Sequence, residues 1–136
     1  HLFKYMDTWK EEVEALADLF KIYVDDYKNQ YSEFMFPPKY GIEPFKMKKY
    51  EANGLDEFGW HVDVNSTGSM NRWLAFFCYL SDNDEGHTSF PYQKVSTDCK
   101  KGTIVMFPPM WPWLHQGTKP VGKPKYFLGS YLHYVD

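Results

Sequence analysis

The chain has 136 residues, enough for one domain with a buried core and too few for two. Apolar residues make up 43% and aromatics 20%, which excludes a disordered chain and suits either a thick β core or a stacking surface. A net charge of −3 with scattered Lys and Arg lacks the footprint of a nucleic-acid binder, and the longest apolar run, Trp73 to Leu80, is too short to cross a bilayer.

The first residues are mixed and charged, unlike a signal peptide, and a start at His1 rather than Met reads as part of a longer protein. Residues 8 to 30 read as one helix. Thr8 and Glu11 fit a capping box, and Trp9, Val13, Leu16, Phe20 and Val24 form an apolar stripe at helical spacing. Such a stripe needs a partner surface, most simply the outer face of a sheet.

Residues 31 to 42 form a connector containing Pro37, Pro38 and Gly41. Beyond it the period changes to two. Phe45, Met47, Lys49 and Glu51 alternate with Lys46, Lys48 and Tyr50 as in a strand, and Asn53-Gly54 marks a turn. His61 to Val64 reads as a short strand, 65 to 71 as a polar loop, and Arg72 to Leu80 as a central strand, apolar on both faces. Residues 81 to 87 read as an acidic turn and Thr88 to Pro91 as a strand edge. Gly102 to Phe107 is an apolar strand stopped by Pro108 and Pro109, Trp113 to Gln116 a short segment, and Lys125 to Val135 a long final strand.

Cys78 falls in an apolar strand pattern and Cys99 in a polar turn. Two cysteines make no disulfide framework, and a reducing, cytoplasmic setting is expected. The expected architecture is mainly β. A helical support (1–42) buttresses a jelly-roll (double-stranded β-helix) core (43–136), in a single domain spanning 1–136.

Within that frame, His61 and Asp63 stand at i and i+2 and share one strand face, a geometry suited to two ligands of one ion. The bland alternative is a polar pair at a strand end. A third ligand would come from His87, His115 or His133, since His1 is a terminus. His115 is preferred. It follows a stiff Pro- and Trp-rich stretch, and Lys125 comes ten residues later. Two histidines and a carboxylate can hold Fe(II) on one face and leave other positions open.

On the final strand Lys125, Phe127, Gly129, Tyr131 and His133 share a face. If Lys125 points inward it needs an anionic partner, with Gly129 making room; otherwise it is an exposed lysine at a strand start.

From about Phe45 to Tyr134 the chain resembles Fe(II)/2-oxoglutarate-dependent dioxygenases of the prolyl 4-hydroxylase type, especially short bacterial and phage forms. The shared pattern is His61-Val62-Asp63, the distant His115, and Lys125. Arg72 opening a strand that ends Tyr79-Leu80 is similar to the family's substrate arginine and co-substrate tyrosine. One departure stands at Glu85-Gly86-His87-Thr88-Ser89-Phe90, where His87 replaces the family's acid.

The resemblance implies an enzyme with His61, Asp63 and His115 as its catalytic, iron-binding triad. It implies 2-oxoglutarate held through its far carboxylate by Lys125 and Tyr79, with Tyr50 close by. O2 is the second co-substrate, ascorbate an external reductant, and succinate and CO2 the co-products. The implied substrate is a prolyl residue of a peptide or protein, in a groove beside Arg72, Trp111, Trp113, Tyr131 and His133, although Trp111 and Trp113 also fit plain packing. The resemblance to bacterial and phage forms places the expected cytoplasm in a bacterium or in the host of a phage, while charge and hydropathy lead to no expected nucleic-acid or membrane partner. Two other readings compete: a cupin-like divalent-metal enzyme of another reaction class, which has no use for Lys125, and a non-catalytic jelly-roll binding module, which needs no triad.

Overall fold

Helix α1 (Met6–Tyr31) forms because one stripe of its surface can be buried. Val13, Phe20 and Val24 are buried against Phe45, Trp73, Leu74, Phe76, Leu128 and Leu132, each contributing roughly 2 kcal/mol by loss of apolar surface to water. The computed structural model describes residues 6–31 and 33–136, without the side chains of residues 6, 7 and 33. The expected start of the helix is corrected. The backbone at Trp9 (φ −118°, ψ 19°) breaks the helix, which already runs before Thr8. Trp9 is 42% exposed, and the buried stripe begins at Val13.

A 3-10 turn (Glu33–Met35) leads into nine strands: β1 (Tyr40–Ile42), β2 (Lys46–Tyr50), β3 (Phe58–His61), β4 (Arg72–Tyr79), β5 (Asn83–Phe90), β6 (Val95–Cys99), β7 (Ile104–Phe107), β8 (His115–Gly117) and β9 (Lys125–Tyr134). One sheet has the order β1-β9-β4-β7, with β2 also paired to β9. The other has the order β3-β8-β5-β6. Each of the pairings is antiparallel. The result is the expected jelly roll, with α1 against the outer face of the first sheet.

Strand β4 is central, as its two apolar faces require. Leu74 and Phe76 turn toward the helix, while Ala75 and Tyr79 turn inward to Phe90, Val105 and Phe107. Its long registers with β9 and β7 fix both neighbours. The Asn53 turn forms as expected. Its Oδ1 accepts the Leu55 and Asp56 amides at 2.8 Å, and Gly54 takes φ 74°.

Two expectations are corrected on the second sheet. Most of the expected acidic turn at 81–87 is instead strand, because β5 already starts at Asn83. Asn83 substitutes for missing ladder bonds there: its Oδ1 accepts the amides of Glu85, Gly86 and Val121, and its Nδ2 donates to the carbonyls of Val121 and Lys123. Cys99 is not in a turn but ends β6, buried, and both cysteines are free thiols. Among the described residues no helix is long and apolar enough to cross a membrane.

Candidate active site

The two sheets enclose a cavity of about 530 Å³. Antiparallel pairing of β3 with β8 sets His61 directly opposite His115, with the rings 4.2 Å apart. Asp63 arrives by a route the strand-face argument did not supply. Strand β3 ends at His61, and the chain then turns so that the amides of Asp63 and Val64 both donate to the Pro109 carbonyl, at 3.1 and 3.0 Å. The Pro-rich stiffness before His115 therefore also holds Asp63.

His61 Nε2 lies 3.6 Å from Asp63 Oδ1, and His115 Nε2 lies 3.6 Å from Asp63 Oδ2. One donor atom from each residue falls within 4.8 Å of the other two. These separations are too long for hydrogen bonds. The two 3.6 Å distances are somewhat longer than the ~3 Å expected between neighbouring donors that share an ion at about 2.1 Å, so a small inward shift of the three side chains closes the site on a metal.

The ring tautomers agree with that use. Nδ1 of His61 meets the Gly59 carbonyl at 2.7 Å and Nδ1 of His115 meets the Trp113 carbonyl at 2.8 Å. A carbonyl only accepts, so each Nδ1 carries the proton and each Nε2 presents a lone pair to the centre. Nε2 of His61 is buried with no hydrogen-bond partner, as expected of an atom reserved for a metal.

Burial pushes the Asp63 carboxyl up, but the neighbouring imidazoles and a 2.8 Å bond from the Tyr131 hydroxyl bring it below its ordinary range. Burial lowers the His115 pKa, so that ring stays neutral. Burial and the Asp63 charge raise the Tyr131 pKa far above its usual value, keeping the phenol a donor. The donor set thus fits a divalent ion.

Lys125 begins β9 opposite Tyr50 of β2 and is only 2% exposed. Its Nζ donates to the carbonyls of Thr118 (3.1 Å) and Gly86 (3.3 Å) and lies 5.0 Å from the Tyr50 ring centre. Among the described residues it makes no ion pair with a carboxylate. A buried ammonium without an anion is expensive to fold around, and burial lowers its pKa. Two of its three protons are used, which leaves one for an anionic ligand in the cavity. Gly86 allows this arrangement, because a Cβ there would come within 2.8 Å of Lys125 Cδ.

Tyr79 also lines the cavity, its hydroxyl 2.7 Å from Thr88 Oγ1 and 2.9 Å from Thr97 Oγ1. Thr97 Oγ1 also reaches the Thr88 carbonyl at 3.4 Å; when it turns its proton to Tyr79 instead and Thr88 donates as well, the phenol proton is free for a ligand. Tyr50 stacks on Phe127 (5.8 Å, 11°) and lines the same end. The space at Gly129 is taken up by Phe77 of β4.

Arg72 lines the cavity but is not free. It makes a two-pronged bond to Glu43 (2.6 and 2.9 Å) and lies 4.0 Å over the Tyr131 ring. Arg72, Tyr131 and Asp63 therefore form one connected unit. The structure does not bring Trp111 or His133 to the cavity. Trp111 is 76% exposed on a 3-10 turn (Trp111–Trp113), and His133 stands against Gly41 of β1. His87 pairs loosely with Glu85 at 3.7 Å, outside the cavity lining.

Sequence reasoning missed Lys46 and Lys48, which both line the cavity. The signal was present: on β2 they share a face with Tyr50. Lys48 Nζ lies 4.4 Å over the Phe58 ring, and burial lowers its pKa while Asp63 raises it.

The family model described as the 2OG-Fe(II) oxygenase superfamily matches residues 45–133, well over half of the chain. No curated protein matches the chain by sequence. Among solved structures, the viral collagen prolyl hydroxylase of Paramecium Bursaria Chlorella virus-1, in its 2OG complex, is similar with a TM-score of 0.71 and 21% identity, over 88% of this chain and 73% of that one. A Trichoplax adhaerens prolyl hydroxylase, in complex with a hypoxia inducible factor oxygen degradation domain peptide fragment, matches with a TM-score of 0.57 and 20% identity, over 68% and 44%. A prolyl 4-hydroxylase of Phytophthora capsici matches with a TM-score of 0.55 and 24% identity, over 65% and 31%. Those likenesses show the jelly-roll fold. The family match, together with a cavity that joins a His-Asp-His centre to a buried unpaired lysine, shows that this chain belongs to the 2OG-Fe(II) oxygenase superfamily, enzymes dependent on Fe(II) and 2-oxoglutarate.

Proposed function

We propose that this protein hydroxylates a prolyl residue in a peptide or protein, with succinate and CO2 as co-products, and that residues 1–136 act as one oxygenase domain. The observation that carries the reading is the pairing of two features in one cavity: the His61, Asp63 and His115 cluster, and Lys125 buried without a counter-ion among the described residues. A cupin-like metal enzyme or a binding module leaves that lysine without a purpose.

When bound, the ferrous ion supplies the O2 chemistry that oxidises 2-oxoglutarate and places one oxygen atom in a substrate C–H. The chain's own residues do the rest. His61 and His115 present Nε2 lone pairs because their Nδ1 protons are pinned to carbonyls. Tyr131 holds one Asp63 oxygen and thereby fixes the carboxylate's orientation. Lys125 and Tyr79 receive the far carboxylate of 2-oxoglutarate, and the apolar wall of Phe127 and Phe107 keeps water out. Arg72, tied to Glu43 and stacked on Tyr131, borders the space left for substrate.

The test is incubation of the Fe(II) protein with 2-oxoglutarate, O2 and a panel of Pro-containing peptides. The expected result is peptide gaining one oxygen atom in step with succinate. Succinate formed with no peptide gaining oxygen would sink the prolyl assignment, and absence of succinate would sink the reaction itself.

A further inference from the structure

The cavity has more positive charge than the proposed reaction uses. Its lining includes four cations, Lys46, Lys48, Arg72 and Lys125. Glu43 neutralises Arg72. On the reading above, the far carboxylate of 2-oxoglutarate neutralises Lys125, while Asp63 and the near carboxylate balance a divalent ion. Lys46 and Lys48 remain, and neither makes an ion pair among the described residues. In a chain with net charge −3, two ammonium groups turned into one cavity with no ion pair of their own, Lys48 resting on the Phe58 and Phe127 rings, are not explained by general basicity.

Their placement is specific. Strand β2 pairs in register with β9, setting Tyr50 opposite Lys125, Lys48 opposite Phe127 and Lys46 opposite Gly129. Each step of two residues advances about 7 Å along the strand. The lysines therefore run from the Lys125 end toward the end marked by Tyr131 and Arg72. The alternate residues Met47 and Lys49 face outward, so the inward set is fixed by register. Among the described residues β2 pairs only with β9 and β3 ends the second sheet, so both present a free edge there. Lys48 reaches across to Phe58 of β3 between those edges. An extended peptide can approach along such edges, and a carboxylate on it would meet the lysines.

We propose that Lys46 and Lys48 select an acidic peptide, one carrying an Asp or Glu carboxylate beside the residue to be hydroxylated. This specificity rests on the hydroxylase reading given above. The lysines are partly exposed, so the gain lies between that of a surface ion pair and that of a desolvated one.

The experiment uses the full chain loaded with Mn(II) and 2-oxoglutarate. Its probes are three labelled peptides that differ only in the residue before proline, Glu, Gln or Lys, followed by fluorescence anisotropy. The Glu peptide is expected to bind about tenfold tighter than the Gln peptide, with the Lys peptide weakest. The Glu preference should shrink as salt rises. In a Lys46→Met, Lys48→Met double variant, which keeps most of the apolar stems, it should fall to about twofold or less. Equal binding of Glu and Gln peptides, no binding of either, or a preference that survives the double substitution overturns the proposal. A variant that keeps the preference and loses 2-oxoglutarate affinity instead would assign the lysines to the co-substrate and also overturn it. Glu-selective binding without oxygen gain would leave this inference standing and sink only the prolyl assignment.

Discussion

Replacing Lys125 with Met separates co-substrate binding from metal binding. The wild-type ammonium is 2% exposed and meets two carbonyls but no carboxylate. Losing one partner of a buried, hydrogen-bonded charge pair costs about 3 kcal/mol, or roughly a hundredfold in the Kd for 2-oxoglutarate. The consequence can be read as heat stability. At a ligand concentration of about 100 Kd the wild-type fold gains about 2.7 kcal/mol; in the variant the same concentration is about one Kd and gives about 0.4 kcal/mol. At about 3 °C per kcal/mol for a chain of this size, 2-oxoglutarate should raise Tm by about 8 °C in the wild type and by about 1 °C in the variant. Without ligand the two opposing effects, relief of a buried charge and loss of the bonds to Gly86 and Thr118, leave Tm shifted by only a few degrees. The assay is a thermal melt of Mn(II)-loaded protein with and without 2-oxoglutarate. An undiminished ligand shift in the variant, or an equal loss of Mn(II) and 2-oxoglutarate affinity, would refute the role given to Lys125.

Other outcomes follow from single contacts. Tyr131→Phe removes the hydroxyl that holds Asp63 but keeps the ring under Arg72, so Mn(II) affinity should fall about 10- to 100-fold by calorimetry while the melt stays near wild type. Gly86→Ala drives a methyl against Lys125 Cδ, which is too enclosed to yield; 2-oxoglutarate affinity should drop about tenfold with Mn(II) affinity retained. The metal-free protein should lose stability on acidification. Burial lowers the His115 pKa, so below about pH 6.5 the unfolded chain takes up a proton that the folded ring refuses. Stability is full above that pH and falls as pH drops toward the lower folded value. Denaturation midpoints at about pH 7 and pH 5 should show the fall, and His115→Gln should reduce it.

The metal site was legible because coordination chemistry restricts residue types. His61, Asp63 and His115 with Lys125 are meaningful together wherever the intervening chain runs. Strand parity set Lys125 and Tyr131 on the cavity side of β9, but it also set His133 there, and that ring instead stands against Gly41 of β1. Parity failed too for Asp63, whose position comes from the Pro109 carbonyl rather than from a shared strand face. Strand β5 was hidden because Asn83–Gly86 is polar and its side-chain bonds have no signature in hydrophobic period. Strand β6 was hidden because it is a polar edge strand paired only with β5. Glu43, the partner of Arg72, followed a connector that had no period to read. Lys46 and Lys48 were passed over because alternating lysines normally mark a solvent face; only the inward orientation of Tyr50 on the same strand reverses that reading.

His61, Asp63 and His115 are expected to hold one ferrous ion to which 2-oxoglutarate binds. This is tested most directly by titrating the anaerobic Fe(II) protein with 2-oxoglutarate and following visible metal-to-ligand charge-transfer absorption. A band that saturates at one 2-oxoglutarate per Fe(II)-loaded chain, and is lost in Asp63→Ala, is the predicted result. No band in the wild type, or a band of equal strength in Asp63→Ala, would contradict it.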